Sequence, residues 1–217
     1  MKISLLQPKI IRGDIEYNTN KIQELIDLSS GNLLILAEYA LTGSLVLDSQ
    51  ANTQQWAKKT EEMIKRIKIP DNKIIILNSL KRIDEKLYNI CQLLPTNLFQ
   101  IKVYPDDTEQ NNGILPGKEH KIFKLFEKRF KILICMDYKF ADSIPSDDID
   151  FFIWIYHFTK ENFSSKLNSL KEFVKIRKIP MLISSLVSDK NFGFSTYIDT
   201  NRIVSLSSYE GILEIDF

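Results

Sequence analysis

Cysteine and histidine are scarce in this chain, with two of each among 217 residues. Cys91 and Cys135 both sit in apolar, strand-like segments. Two cysteines make no disulfide framework, so a reducing, cytoplasmic setting is expected. A Cys-His or Ser-His-Asp arrangement would have to use His120 or His157. His120 lies in a basic stretch that reads as an exposed hairpin. His157 follows an apolar run and reads as a pocket-lining residue or, more often for such a position, as a core or rim residue. Ligand residues are not clustered, so no metal is expected. Glycine is also sparse, at seven residues, with no phosphate-cradling loop, and no cofactor is expected. No apolar run is long enough to cross a bilayer, and Met1-Lys2-Ile3 reads directly as a strand, so no signal peptide is expected. Charge of one sign is missing too. The 29 Lys and Arg against 28 Asp and Glu leave a net +1, which gives no reason to expect nucleic acid or an anionic membrane as partner.

What remains is a globular composition, 44% hydrophobic and 26% charged, long enough for one domain over residues 1–217 with a sizeable core. Strand signals fall at 3–7, 33–36, 73–80, 86–94, 98–104, 121–126, 130–135, 151–156, 181–187, 193–198, 203–206 and 212–217. Asn18-Thr19 reads as a helix N-cap, with Ile22, Leu25 and Ile26 on one face and Gly31 beyond the end. Trp56, Met63, Ile64 and Ile67 mark a second helix, closed by Pro70. Ser164-Ser165 caps a third, striped by Leu167, Leu170, Val174 and Ile176. Thr96-Asn97, Glu127-Lys128 and Thr200-Asn201 read as hairpin turns, and the Lys-rich stretch 118–131 as a solvated strand face. Helices alternate with strands early and hairpins dominate later, which suits an α/β chain of mixed sheets, two of them packed face to face with helices outside.

Three strand ends carry chemistry. Phe130-Lys131-Ile132-Leu133-Ile134-Cys135-Met136-Asp137 is an apolar run ending on a thiol, and active sites of open α/β sheets lie at the carboxyl ends of strands. Asn32 to Ala37 is a second apolar run, ending on Glu38. A carboxylate so placed is at least half buried, and burial raises its pKa toward the range a general base needs. Leu98 to Ile101 is a third, closed by Lys102 before an acidic loop and Pro116-Gly117.

These segments resemble the nitrilase, or carbon–nitrogen hydrolase, superfamily. Ala37-Glu38 followed by Leu41-Thr42-Gly43 is similar to its Pro-Glu and Thr-Gly stretch. Lys102, Glu109 and Pro116-Gly117 are similar to its lysine, second glutamate and turn, and Ile134-Cys135-Met136-Asp137 to its Ile-Cys-x-Asp strand end. The start, from Ile3 to Pro8 with Gly13-Asp14 and Asn18, the Leu87-Tyr88-Asn89 hairpin and the closing residues from Gly193 to Phe217 extend the likeness along the chain. Departures are Ala37 for proline, Tyr104-Pro105 for His-Leu and a short region after Cys135. They alter the pocket and leave the catalytic atoms in place.

The resemblance implies a four-layer α-β-β-α sandwich and a Glu38, Lys102, Cys135 triad. Cys135 would attack the carbonyl carbon of an amide to form a thioester, and Glu38 would act as general base. Lys102 and the Met136 N–H would hold the oxyanion. Glu109 would orient Lys102 or touch substrate, and Tyr39 and Tyr138 would line the pocket or merely pack. The implied partner is a small soluble amide or N-carbamoyl compound, and the implied assembly a homodimer or higher homo-oligomer. Nitrile hydrolysis and a catalytically silent binding or dimerisation module are the alternatives.

Overall fold

The computed structural model describes residues 1–44 and 52–217. The elements run β1 (Lys2–Gln7), α1 (Ile15–Leu28), β2 (Leu33–Ile35), α2 (Thr53–Ile64), β3 (Ile74–Ile83), β4 (Lys86–Leu94), β5 (Leu98–Ile101), α3 (Asp107–Asn111), β6 (Phe123–Leu125) and β7 (Lys128–Ile134). A 3₁₀ segment, Cys135–Ser143, follows. Then come β8 (Phe151–Ile155), α4 (Phe163–Arg177), β9 (Met181–Ser184), β10 (Thr196–Ile198), β11 (Ile203–Ser205) and β12 (Gly211–Asp216). They form two six-stranded sheets, ordered β12-β1-β2-β3-β4-β5 and β11-β10-β9-β8-β7-β6. Each has a parallel centre, β1-β2-β3 in one and β7-β8-β9 in the other, flanked by antiparallel strands.

Alternation along the central strands builds the layers, because successive side chains point to opposite faces. Leu33 and Ile35 face inward and meet Ile132, Ile134, Ile153 and Ile155 of the other sheet. Leu34 and Leu36 face outward, under Ile22, Leu25 and Ile26 of α1 and Met63 of α2. On the far side Phe152 and Trp154 pack beneath Leu170, Phe173 and Val174 of α4. The result is α-β-β-α layering, as expected.

Boundaries differ from the expected ones. The first helix starts at Ile15 with Asp14 as its cap, whose carboxylate accepts from Tyr17 N. Asn18 is buried inside that helix, where its amide ties Ile11 to the carbonyl of Leu41. The third helix starts at Phe163, before Ser164-Ser165, and the middle turn is Phe126-Glu127, both at positive φ. Lys131 leaves the solvated face as well. It is 6% exposed, and its ammonium donates to the carbonyl of Pro145 at 2.8 Å.

Candidate active site

Glu38, Lys102 and Cys135 each lie just past the end of a strand, β2, β5 and β7 respectively, so two come from one sheet and the third from the other. The structure brings them together. Lys102 Nζ stands 2.9 Å from Glu38 Oε1 and 2.6 Å from Glu109 Oε2, and all three side chains are at most 3% exposed. The Glu38 carboxylate is close enough to the Cys135 thiol to act on it electrostatically. Glu109 arrives on α3, whose N-terminus is closed by a reciprocal cap between Asp106 and Glu109.

Lys102 is held by its own backbone. Its N–H donates to the carbonyl of Asn89, and its carbonyl accepts from Gly117 N, both at 2.8 Å. A Cβ at Gly117 would come within 3.0 Å of the Ile101 carbonyl, which explains glycine there.

Asn89 of β4 is the hub that links the carboxylates. Its side-chain N–H₂ reaches Glu38 Oε1 at 2.9 Å, Glu109 Oε1 at 2.8 Å and the Tyr39 hydroxyl at 2.9 Å. The Tyr39 hydroxyl in turn donates to Glu109 Oε1 at 2.6 Å. Tyr39 is therefore a buried member of this network. Tyr138 packs elsewhere, stacking on Trp154 at 4.4 Å and meeting Phe173 edge-on.

The turn bearing Cys135 is equally constrained. Cys135 sits at φ 48°, a left-handed conformation that costs a non-glycine residue roughly 1–2 kcal/mol. Trp154 Nε1 donates to its carbonyl at 2.9 Å. The carboxylate of Asp137, fully buried, accepts from Ile134 N at 3.0 Å, Val103 N at 3.1 Å and Tyr104 N at 2.8 Å. One side chain thus ties the turn bearing Cys135 to the loop following Lys102. His120, expected in an exposed hairpin, lies with Nε2 3.2 Å from Asp137 Oδ2 and its side chain 7% exposed. Met136 lines an open groove together with Val103, Tyr104, Pro105 and Phe140, beside this turn.

Charges follow from the contacts. Burial works against the Lys102 ammonium, yet Glu38, Cys135 and Glu109 raise its pKa above the usual lysine value. Burial also works against the Glu109 carboxylate, but the Lys102 charge and hydrogen bonds from Lys102, Tyr39 and Asn89 hold it below the usual range. The Cys135 thiol is pushed well above 9, first by burial and then by the Glu38 carboxylate, with Lys102 opposing. Tyr156 stacks on Trp154 at 4.2 Å, and its hydroxyl is pushed up to about 12 by burial, then by Cys135 and Glu38.

Sequence reasoning passed over Asn78, Asp137 and Tyr156 as site residues, gave Asn89 no role, and ranked a pocket-lining His157 below a core or rim residue. Asn78 and Asn89 had one usable signal: each is an amide in the middle of an apolar strand, where asparagine is depleted. Among the described residues no His, Cys, Asp and Glu cluster could hold a metal, and no helix is long and apolar enough to cross a membrane.

No family model and no curated protein matches the sequence. Solved structures do match. A variant of the amidase from Nesterenkonia sp. AN1 superposes with a TM-score of 0.85 at 15% identity, over 100% of this chain and 93% of that one. Glutamine-dependent NAD+ synthetase from Acinetobacter baumannii gives 0.83 at 16% identity, over 99% of this chain but only 45% of the larger enzyme. A CN-hydrolase superfamily protein from Xanthomonas campestris gives 0.71 at 15% identity, over 99% and 89%. Identities this low speak to architecture, and on that ground the chain has the α-β-β-α fold of the nitrilase superfamily.

Proposed function

We propose that this chain is a carbon–nitrogen hydrolase that cleaves a non-peptide amide or N-carbamoyl bond of a small molecule through a cysteine thioester. The observation that carries the reading is the convergence of Glu38, Lys102 and Cys135 from three strand ends in two sheets. Further support comes from the Nesterenkonia amidase, structures of which record acrylamide and the acetamide moiety of fluoroacetamide added to the active-site cysteine.

In this reading Glu38 takes the Cys135 proton as sulfur attacks the amide carbonyl carbon. General-base help of this kind is worth on the order of 10² to 10⁴ in rate. A thiol held above its usual pKa suits that timing, since the proton leaves only as the S–C bond forms. The tetrahedral oxyanion is held by the Lys102 ammonium and the Met136 N–H. Protonated Glu38 passes its proton to the departing nitrogen, the C–N bond breaks, and ammonia or an amine leaves. Glu38 then deprotonates a water that attacks the thioester, and the acid and free thiol are restored. Glu109 keeps Lys102 charged and aimed.

The test is ammonia release from a panel of simple aliphatic amides, ω-amides and N-carbamoyl amino acids, with Cys135→Ala as the blank. A signal that vanishes in Cys135→Ala is expected. Silence across the panel with an inert Cys135 would overturn the reading in favour of a non-catalytic module.

A further inference from the structure

We infer that His157 is a positioning residue for the base, gripping with Asn78 the two ends of one peptide bond so that the Glu38 carboxylate is aimed at Cys135. The inference rests on the hydrolase reading above. His157 Nε2 hydrogen-bonds the carbonyl oxygen of Glu38. Asn78 Oδ1 accepts from the N–H of Tyr39 at 2.8 Å. That carbonyl and that N–H belong to the same planar unit. Holding both ends fixes the backbone rotation after Glu38 and keeps Tyr39 at φ 51°, a conformation a tyrosine otherwise avoids. The two grips come from opposite sheets, Asn78 from β3 and His157 from just beyond β8. Because Cys135 follows β7, the strand paired with β8, His157 references the base to the nucleophile's own sheet.

The tautomer follows from the partners. A carbonyl only accepts, so Nε2 carries the proton. Nδ1 is then the acceptor, and Ser44 Oγ lies 3.2 Å from it. Burial favours this neutral ring, lowering its pKa from 6.5. Both ring nitrogens are thereby occupied away from the thiol, so His157 acts through Glu38 and is no base itself.

The amide of glutamine places a donor where imidazole has Nε2, and that of asparagine falls short. We would measure the pH profile of Cys135 alkylation by iodoacetamide, which needs no substrate, in the parent, Glu38→Gln, His157→Gln and His157→Asn. His157→Asn should shift toward the Glu38→Gln profile, while His157→Gln stays near the parent. On any amide found to be hydrolysed, His157→Asn should lose kcat on the order of 10²-fold with little change in KM, and His157→Gln should restore most of it. A parent-like profile for His157→Asn beside a shifted Glu38→Gln overturns the positioning role. A Glu38→Gln profile identical to the parent sinks the hydrolase reading instead. Nitrogen NMR of the parent gives a check free of folding defects, since only two histidines need assigning. A neutral ring protonated on Nε2 is expected at His157, and an Nδ1–H tautomer would refute the inference.

Discussion

Lys102 is the residue on which the site's charge balance turns. Its ammonium stands between two buried carboxylates, and it and Glu109 keep each other ionised. For Glu109 the folded pKa lies below the usual 4.5. The stability it contributes is therefore complete above about pH 4.5 and lost as pH falls through the lower folded value. Lys102→Met should reverse that slope, since two unpaired buried carboxylates favour the proton. We expect the variant to be about 3–5 kcal/mol less stable at neutral pH and to recover part of that on acidification toward pH 5, as read by thermal unfolding across pH. A variant with the parent's pH slope would contradict the buried-pair account. That Glu38, Lys102 and Cys135 would meet was legible because each ends an apolar run and because their flanks resemble the nitrilase superfamily. The residues that hold them were not, because their contacts are distant in sequence: His157 acts on a carbonyl 119 positions upstream.

The decisive element is the 3₁₀ segment after β7, which starts at Cys135 itself. It had no signature in the sequence, because Asp137-Tyr138-Lys139-Phe140 has neither strand alternation nor helical apolar spacing. What shapes it is Asp137, whose carboxylate collects backbone N–H groups from its own turn and from the loop after Lys102. Asp137→Asn keeps the size but exchanges one acceptor oxygen for a donor facing N–H groups. We expect a loss of about 1–3 kcal/mol and a larger fall in kcat than in stability, because both the lysine loop and the nucleophile turn lose their shared anchor. Unaltered kcat in a destabilised variant would reduce Asp137 to a structural role. One turn fell a residue from its expected place and another was not expected at all, for a related reason. Asp84-Glu85 and Phe126-Glu127 adopt left-handed φ without the Asn-Gly chemistry that announces such hairpins. The long strands fared better, since unbroken Ile, Leu and Phe runs have few alternatives to a buried sheet.

At the scale of the molecule, the two sheets are locked by the layer of aliphatic and aromatic side chains between them. Ile153, at the centre of β8 and fully buried in that layer, is the simplest probe. Ile153→Ala should lower stability by about 2–5 kcal/mol, seen as a reduced urea midpoint at unchanged slope. A cost below 1 kcal/mol would mean that the layer closes easily around a void. Element order suited two sheets packed face to face, and the resemblance implied the four layers, whereas the strand order within each sheet was not legible, because pairings such as β1 with β12 join residues far apart in the sequence. That closing pairing has a further consequence. Strands β6 to β11 form a loop-out that leaves the first sheet after β5 and rejoins it through β12. Cys135 rides on this tethered half while Glu38 and Lys102 stay on the other. Prying the halves apart would silence the thiol without releasing either piece, so inactivation at low denaturant should precede loss of secondary structure and reverse promptly on dilution.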